Sequence, residues 1–165
     1  MFPAQTYLDR RASLKSRFGS GLLLFLGNEE SPMNYLDNGY PFRQDSSFLY
    51  FFGIDQPGYA AVIDLDEGTT TVFGNDLTID DIVWTGILPT VAELALQGGV
   101  TTTAPASALE PCLRKAGGRQ IHFLPPYRPE HRLKLFKLLG LHPDEQDGRA
   151  SLELKKAVID LRVHK

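Results

Sequence analysis

At 165 residues, with 42% hydrophobic and 22% charged side chains, the chain has the make-up of one compact domain, unlike a disordered or low-complexity polymer. A formal charge of −3 and no cluster of Lys or Arg exclude a phosphate-tracking surface, so nucleic acid is not expected as a partner. The single cysteine, Cys112, rules out an internal disulfide. No apolar run approaches the roughly 20 residues that cross a bilayer, and the polar N-terminus is unlike a signal peptide; a cytoplasmic protein without a membrane partner is expected.

In chain order, Tyr7, Leu8, Ala12, Leu14 and Phe18 fall at helical spacing, with Thr6 as the expected N-cap and Gly19 and Gly21 ending the helix. "LLLFLG" (22–27) then reads as a short strand covered on both faces. The stretch "YPFRQDSSFLYFFG" (40–53) sets Arg43, Asp45, Ser46 and Ser47 against five large apolar residues, and the run 48–52 predicts a second buried strand. "GYAAVID" and "TTTVFG" bracket "LDEG" as an antiparallel hairpin. "LPTVAELALQGG" carries Pro89, a Thr90/Glu93 capping box and Gly98, the marks of a short helix. "ASALEPCLRKAGG" reads as another, provided that Pro111 lies in its first turn or at a kink. "RQIHFLPP" predicts a strand, Pro129 opens a helix that Gly140 closes, and a last helix starts at Ser151. The pattern is that of a single α/β domain over 1–165, with a mixed parallel and antiparallel sheet flanked by helices and the runs Leu22–Leu26 and 48–52 near its centre.

Candidate chemistry is sparse. No two of His122, His131, His142 and His164 share the i, i+4 spacing that would aim both at one metal; His122 reads as a hydrogen-bonded core residue and the other three as surface or loop positions. Cys112 has no partner base and reads as core. Asp76, Asp80 and Asp81 cluster before Trp84, where capping of a short helix by Asp80 or Asp81 accounts for them better than acid–base work or cation binding. Ser46 and Ser47 lack the GxSxG context of a nucleophile. No catalytic residue and no metal ligand is expected within the chain.

"YPFRQDSSFLYFFGIDQPGYAAVID" resembles the motif that opens the N-terminal domain of aminopeptidase P and prolidase, the creatinase-like pita-bread metallopeptidases. "RRASLKSRFGSGLLLFLG", "DDIVWTGILPTVAELALQGGV" and "LKKAVIDLRVHK" are similar, in order, to that family's opening helix and strand, its tryptophan-bearing loop and helix, and the segment joining its two domains. The resemblance implies a structural turn at 43–46, in which Asp45 and Ser46 cap backbone groups and Arg43 pairs with a carboxylate or carbonyls. It implies that catalysis belongs to a C-terminal domain, absent from this chain, where two Asp, one His and two Glu hold two divalent metals, usually manganese. The expected role is then the non-catalytic N-terminal domain of an Xaa-Pro aminopeptidase, which shapes the substrate cleft, pairs with its own catalytic domain and joins a homo-oligomer acting on peptides with proline second. The alternatives are the same domain of an Xaa-Pro dipeptidase and a free-standing module that binds peptides or proteins. The resemblance singles out Trp84 as the one substrate-binding residue: it implies a loop that reaches a neighbouring subunit's active site, with the indole exposed in the isolated domain.

Overall fold

A computed structural model describes residues 2–35 and 38–163, with backbone alone at 84 and 85. The chain runs α1 (Ala4–Lys15), β1 (Leu22–Leu26), α2 (Ser46–Phe52), β2 (Ala60–Asp64), β3 (Thr69–Phe73), α3 (Ile79–Thr85), α4 (Val91–Gln97), β4 (Thr102–Ala104), a 3₁₀ turn (Ala106–Ala108), α5 (Leu109–Arg114), β5 (Ile121–Phe123), α6 (Pro129–Leu139), α7 (Pro143–Arg149) and α8 (Leu152–Val163). The five strands lie in the order β4-β3-β2-β1-β5. β1 and β3 each pair antiparallel with β2, while β5 joins β1 and β4 joins β3 in parallel. The mixed sheet expected from the sequence is therefore present.

The two-residue period of the strands divides the core. Leu23, Phe25, Ala61, Ile63 and Val72 face one side, where α1, α2, α4 and α8 supply Leu14, Phe48, Phe52, Leu94 and Leu154. Leu22, Leu24, Val62, Phe73 and Phe123 face the other, against Leu109 and Leu113 of α5 and Leu135 of α6. Burial on both faces explains why "LLLFL" shows no alternation.

The run 48–52 is a helix, contrary to the expected strand. Asp45 is its N-cap, its carboxylate accepting from Ser47 N at 2.9 Å and Phe48 N at 2.8 Å, and Gly53 ends it in the left-handed region at φ 72°. Phe48, Phe51 and Phe52 enter the core while Leu49 is exposed, so the face has helical spacing that a uniformly apolar sequence conceals. Only glycine fits position 53, since a Cβ there would stand 2.5 Å from Tyr7 Cζ.

Two arginines of α1 hold the end of α2. Arg10 Nη1 donates to Tyr50 O at 2.9 Å, and buried Arg11 donates to Phe51 O at 2.7 Å and Gly99 O at 3.0 Å. Burial without a carboxylate partner lowers the Arg11 pKa to about 10. These guanidiniums serve the last carbonyls of a helix, where its dipole favours positive charge.

Other expectations need correction at the level of single residues. α1 starts at Ala4 with Pro3 before it, so Thr6 lies inside the first turn. β4 and α7 went unpredicted: "TTA" is short and polar, and "PDEQDGR" has no apolar stripe. Trp84 belongs to the short helix α3 instead of a loop. His131 is buried, while half-buried Cys112 is only marginally core.

Candidate functional site

Two of the regions that combine polar groups with an opening to solvent carry residues singled out by the sequence. The first is the turn at 43–47 beside the C-terminal ends of β1 and β5, where a cleft of about 250 Å³ is lined by Leu26, Asp45, Ser46, Tyr127, His131 and Leu135, among others. Gln44 organises the turn: its Oε1 accepts from Asn28 N at 2.7 Å and Asp45 N at 2.9 Å, and its Nε2 donates to Ile54 O and Gln56 O. Asn28 Nδ2 donates to Arg43 O at 2.8 Å, and Tyr127 donates its hydroxyl proton to Asp45 Oδ2 at 3.1 Å. His131 Nε2 lies 3.0 Å from Gly27 O and must carry the proton there.

This arrangement satisfies backbone groups and leaves no reactive pair. Asp45 is committed to two amides and a phenol, and burial pushes His131 below its ordinary value, which favours the neutral ring. Ser46 and Ser47 accept from Arg162 Nη1 at 3.1 and 3.2 Å, so a cation rather than a base faces their oxygens. The expected capping role holds for Asp45 but not for Ser46. Arg43 is exposed and makes no ion pair among the described residues; Gln44 does the work assigned to it. His122 is a core residue as expected, with Nδ1 2.8 Å from Ser151 Oγ, which in turn accepts from Leu154 N at the start of α8. Burial raises the Cys112 thiol, the opposite of activation.

The second region is the excursion 77–90 between β3 and α4. It is tied at its base, where Asp76 Oδ1 accepts from Val91 N at 2.6 Å and Asn75 Oδ1 from Ala106 N at 3.0 Å. Capping boxes stabilise both helices: Thr78 with Asp81 on α3, and Thr90 with Glu93 on α4. Their hydrogen bonds hold the Asp81 and Glu93 carboxyls below the usual range. Thr78, not Asp80 or Asp81, is the N-cap of α3; Asp81 reciprocates from the third helical position. The apolar side chains of this segment point outward, with Ile79 82%, Val83 74% and Ile87 88% exposed. The Trp84 side chain lies outside the described residues, and so does His164.

Among the described residues no three His, Cys, Asp or Glu side chains come together as metal ligands, so the pair of divalent metals implied by the resemblance finds no ligand set in them. Sequence reading missed Asn28, Tyr127 and Arg162, each of which reaches the 43–47 turn from a distant part of the chain.

Residues 7–122 match the family described as Aminopeptidase P, N-terminal domain. A human Xaa-Pro dipeptidase is 37% identical over 65 residues, which is 39% of this chain and 13% of that protein. A probable Xaa-Pro aminopeptidase of Aspergillus oryzae is 29% identical over 143 residues, covering 81% of this chain and 29% of that one. Among solved structures, Pseudomonas aeruginosa aminopeptidase PepP gives a TM-score of 0.73 at 17% identity, covering 91% of this chain and 35% of that one. A variant of aminopeptidase P from Escherichia coli gives 0.71 at 20% identity, with 84% and 33% covered. At such identities the structural likeness concerns the fold alone. The chain spans about a third or less of the length of these relatives.

Proposed function

Because the chain belongs to the aminopeptidase P N-terminal domain family, we propose that it is the non-catalytic unit of a metal-dependent Xaa-Pro aminopeptidase, shaping the substrate cleft and contributing to oligomer assembly. The observation that carries this reading is the outward-facing apolar segment around α3, where Ile79, Val83 and Ile87 are largely exposed among the described residues. Such a segment suits a role in lining a surface that belongs to another unit. Trp84, within it, is the substrate-contacting residue of the proposal: its indole offers a broad apolar face to a proline ring and one N–H donor, acting across the subunit boundary. The metals, by resemblance manganese, belong in this reading to a catalytic domain supplied by the same protein, and the proposed setting is the cytoplasm.

The test joins this chain to its catalytic domain and compares Trp84→Ala with the parent. About tenfold lower kcat/KM is expected for tripeptide and longer substrates, equivalent to ~1.4 kcal/mol of transition-state binding, with metal content and melting temperature unchanged. Unchanged kcat/KM refutes the substrate role, and a lowered melting temperature assigns Trp84 to packing. Reading the gene past the codon for residue 165 is a separate check, since lack of an Asp, Asp, His, Glu, Glu set there would favour a free-standing module. A second reading, the N-terminal domain of an Xaa-Pro dipeptidase, is favoured by the identity to the human dipeptidase. Relative turnover of Xaa-Pro dipeptides and longer peptides separates the two.

A further inference from the structure

Arg10 and Arg162 line one open cleft, and neither holds a carboxylate among the described residues. The cleft, of about 640 Å³, lies where α1, the outer side of α2 and the end of α8 meet, and Phe2, Tyr7, Leu49 and Tyr50 supply its apolar walls. The Arg10 guanidinium lies 3.9 Å from the Tyr50 ring centroid and 4.8 Å from that of Phe2, and its Nη1 is fixed on Tyr50 O. The Arg162 guanidinium lies 5.8 Å from the same Tyr50 centroid, with Nη1 fixed on the hydroxyls of Ser46 and Ser47. Neither forms an ion pair among the described residues, whereas Arg17, Arg114, Arg119, Arg128 and Arg132 all do. Asp55, on the same lining, pairs with neither.

We propose that this cleft binds a partner's peptide segment in which a carboxylate side chain is followed by a bulky apolar one. Two planar guanidiniums with uncommitted N–H groups match a carboxylate better than a point charge would. Stacking on Tyr50 and the bonds to Ser46, Ser47 and Tyr50 O hold them in place, so little rotamer freedom remains to be lost on binding. Phe2 and Leu49, 58% and 38% exposed, form the apolar wall for the neighbouring side chain. That wall argues for an acidic peptide over a free inorganic anion, which has nothing to place against it. The inference is independent of the Trp84 proposal, because no residue of 77–90 takes part.

The experiment titrates the ¹⁵N-labelled 165-residue chain with N-acetyl-glutamyl-leucine amide, its glutaminyl counterpart and inorganic phosphate. The glutamyl peptide is expected to shift the amides of Arg10, Leu49, Tyr50 and Arg162, and the glutaminyl peptide to bind about tenfold more weakly, the effect of one charge-assisted contact. Arg162→Gln is expected to weaken binding about tenfold without lowering the melting temperature, with Arg162→Lys between it and the parent. Arg10→Gln gives a second reading of the same loss, judged alongside its thermal unfolding because Arg10 also holds Tyr50 O. Equal binding of the two peptides, no shift at these amides, or phosphate binding more tightly than the glutamyl peptide would each overturn the proposal.

Discussion

Replacing Asp45 with Ala removes three hydrogen bonds at once from the start of α2. Ser47 N and Phe48 N lose an acceptor at 2.9 and 2.8 Å, and Tyr127 loses one at 3.1 Å. Because Asp45 is only 9% exposed and Phe48 is fully buried, water cannot readily take the carboxylate's place at both amides. A lost N-cap costs about 1 kcal/mol, and orphaned buried donors raise this to about 3 kcal/mol in all. Tyr127 adds little, since the residue is 65% exposed and its hydroxyl can reorient toward solvent. For a domain of this size that corresponds to a melting temperature lowered by about 6–12 °C. Asp45→Asn keeps an oxygen acceptor for both amides and is expected to lose only about 1 kcal/mol, the charge-assisted part of the contact. Thermal and urea unfolding followed by circular dichroism at pH 7 measures both variants. If Asp45→Ala unfolds within about 0.5 kcal/mol of the parent, ordinary surface behaviour, then the cap is not what holds the turn.

Gly53→Ala is expected to cost about 2 kcal/mol or more in the same assay, because it combines a left-handed backbone with a Cβ pressed on the Tyr7 ring. Ile79→Lys and Ile87→Lys are expected to leave the unfolding free energy within about 0.5 kcal/mol, as both side chains face solvent; a larger loss in urea titration would mean that α3 packs on the domain after all. Burial lowers the pKa of both His122 and His131, so the unfolded chain binds protons more readily; stability is full above the unfolded histidine value near about 6.5 and falls as pH drops through it toward the lower folded values. Urea midpoints between pH 7.5 and 5 should trace that fall, and His131→Gln should flatten it; a parent curve level across this window would refute the sign.

Where the chain advertises an element by chemistry that belongs to one conformation alone, sequence and structure agree. Thr90 and Glu93 make sense only as a capping box, Gly140 only as a left-handed stop, and "LDEG" between "GYAAVID" and "TTTVFG" only as a hairpin turn. The run 48–52 misled because five large apolar residues carry no period, and the deciding information lay outside it, in the Asp45 cap and the Gly53 stop. Asp45 reads as a capping residue of the turn, but the uniformly apolar run after it matches a strand covered on both faces as well as it matches a buried helix. His131 followed the same logic in reverse: its neighbours in sequence are polar, and only the return of α6 over the end of β1 encloses it against Gly27 O. Contacts that join residues far apart in the chain, such as Arg162 with Ser46 and Tyr127 with Asp45, leave no local pattern to read.

The bond between Asp76 and Val91 has a consequence for how this domain can vary. A segment that leaves and re-enters at one tie point is topologically a finger: its length can change while the sheet beneath keeps its register, and each doubling of such a loop costs only about 0.6 kcal/mol in closure entropy. Substitutions along it at Ile79, Val83 or Ile87 likewise meet almost no resistance from the domain's own packing. Selection on those side chains must therefore originate in whatever the finger touches, which makes 77–90 the part of the molecule where reach and specificity can be retuned without renegotiating the fold.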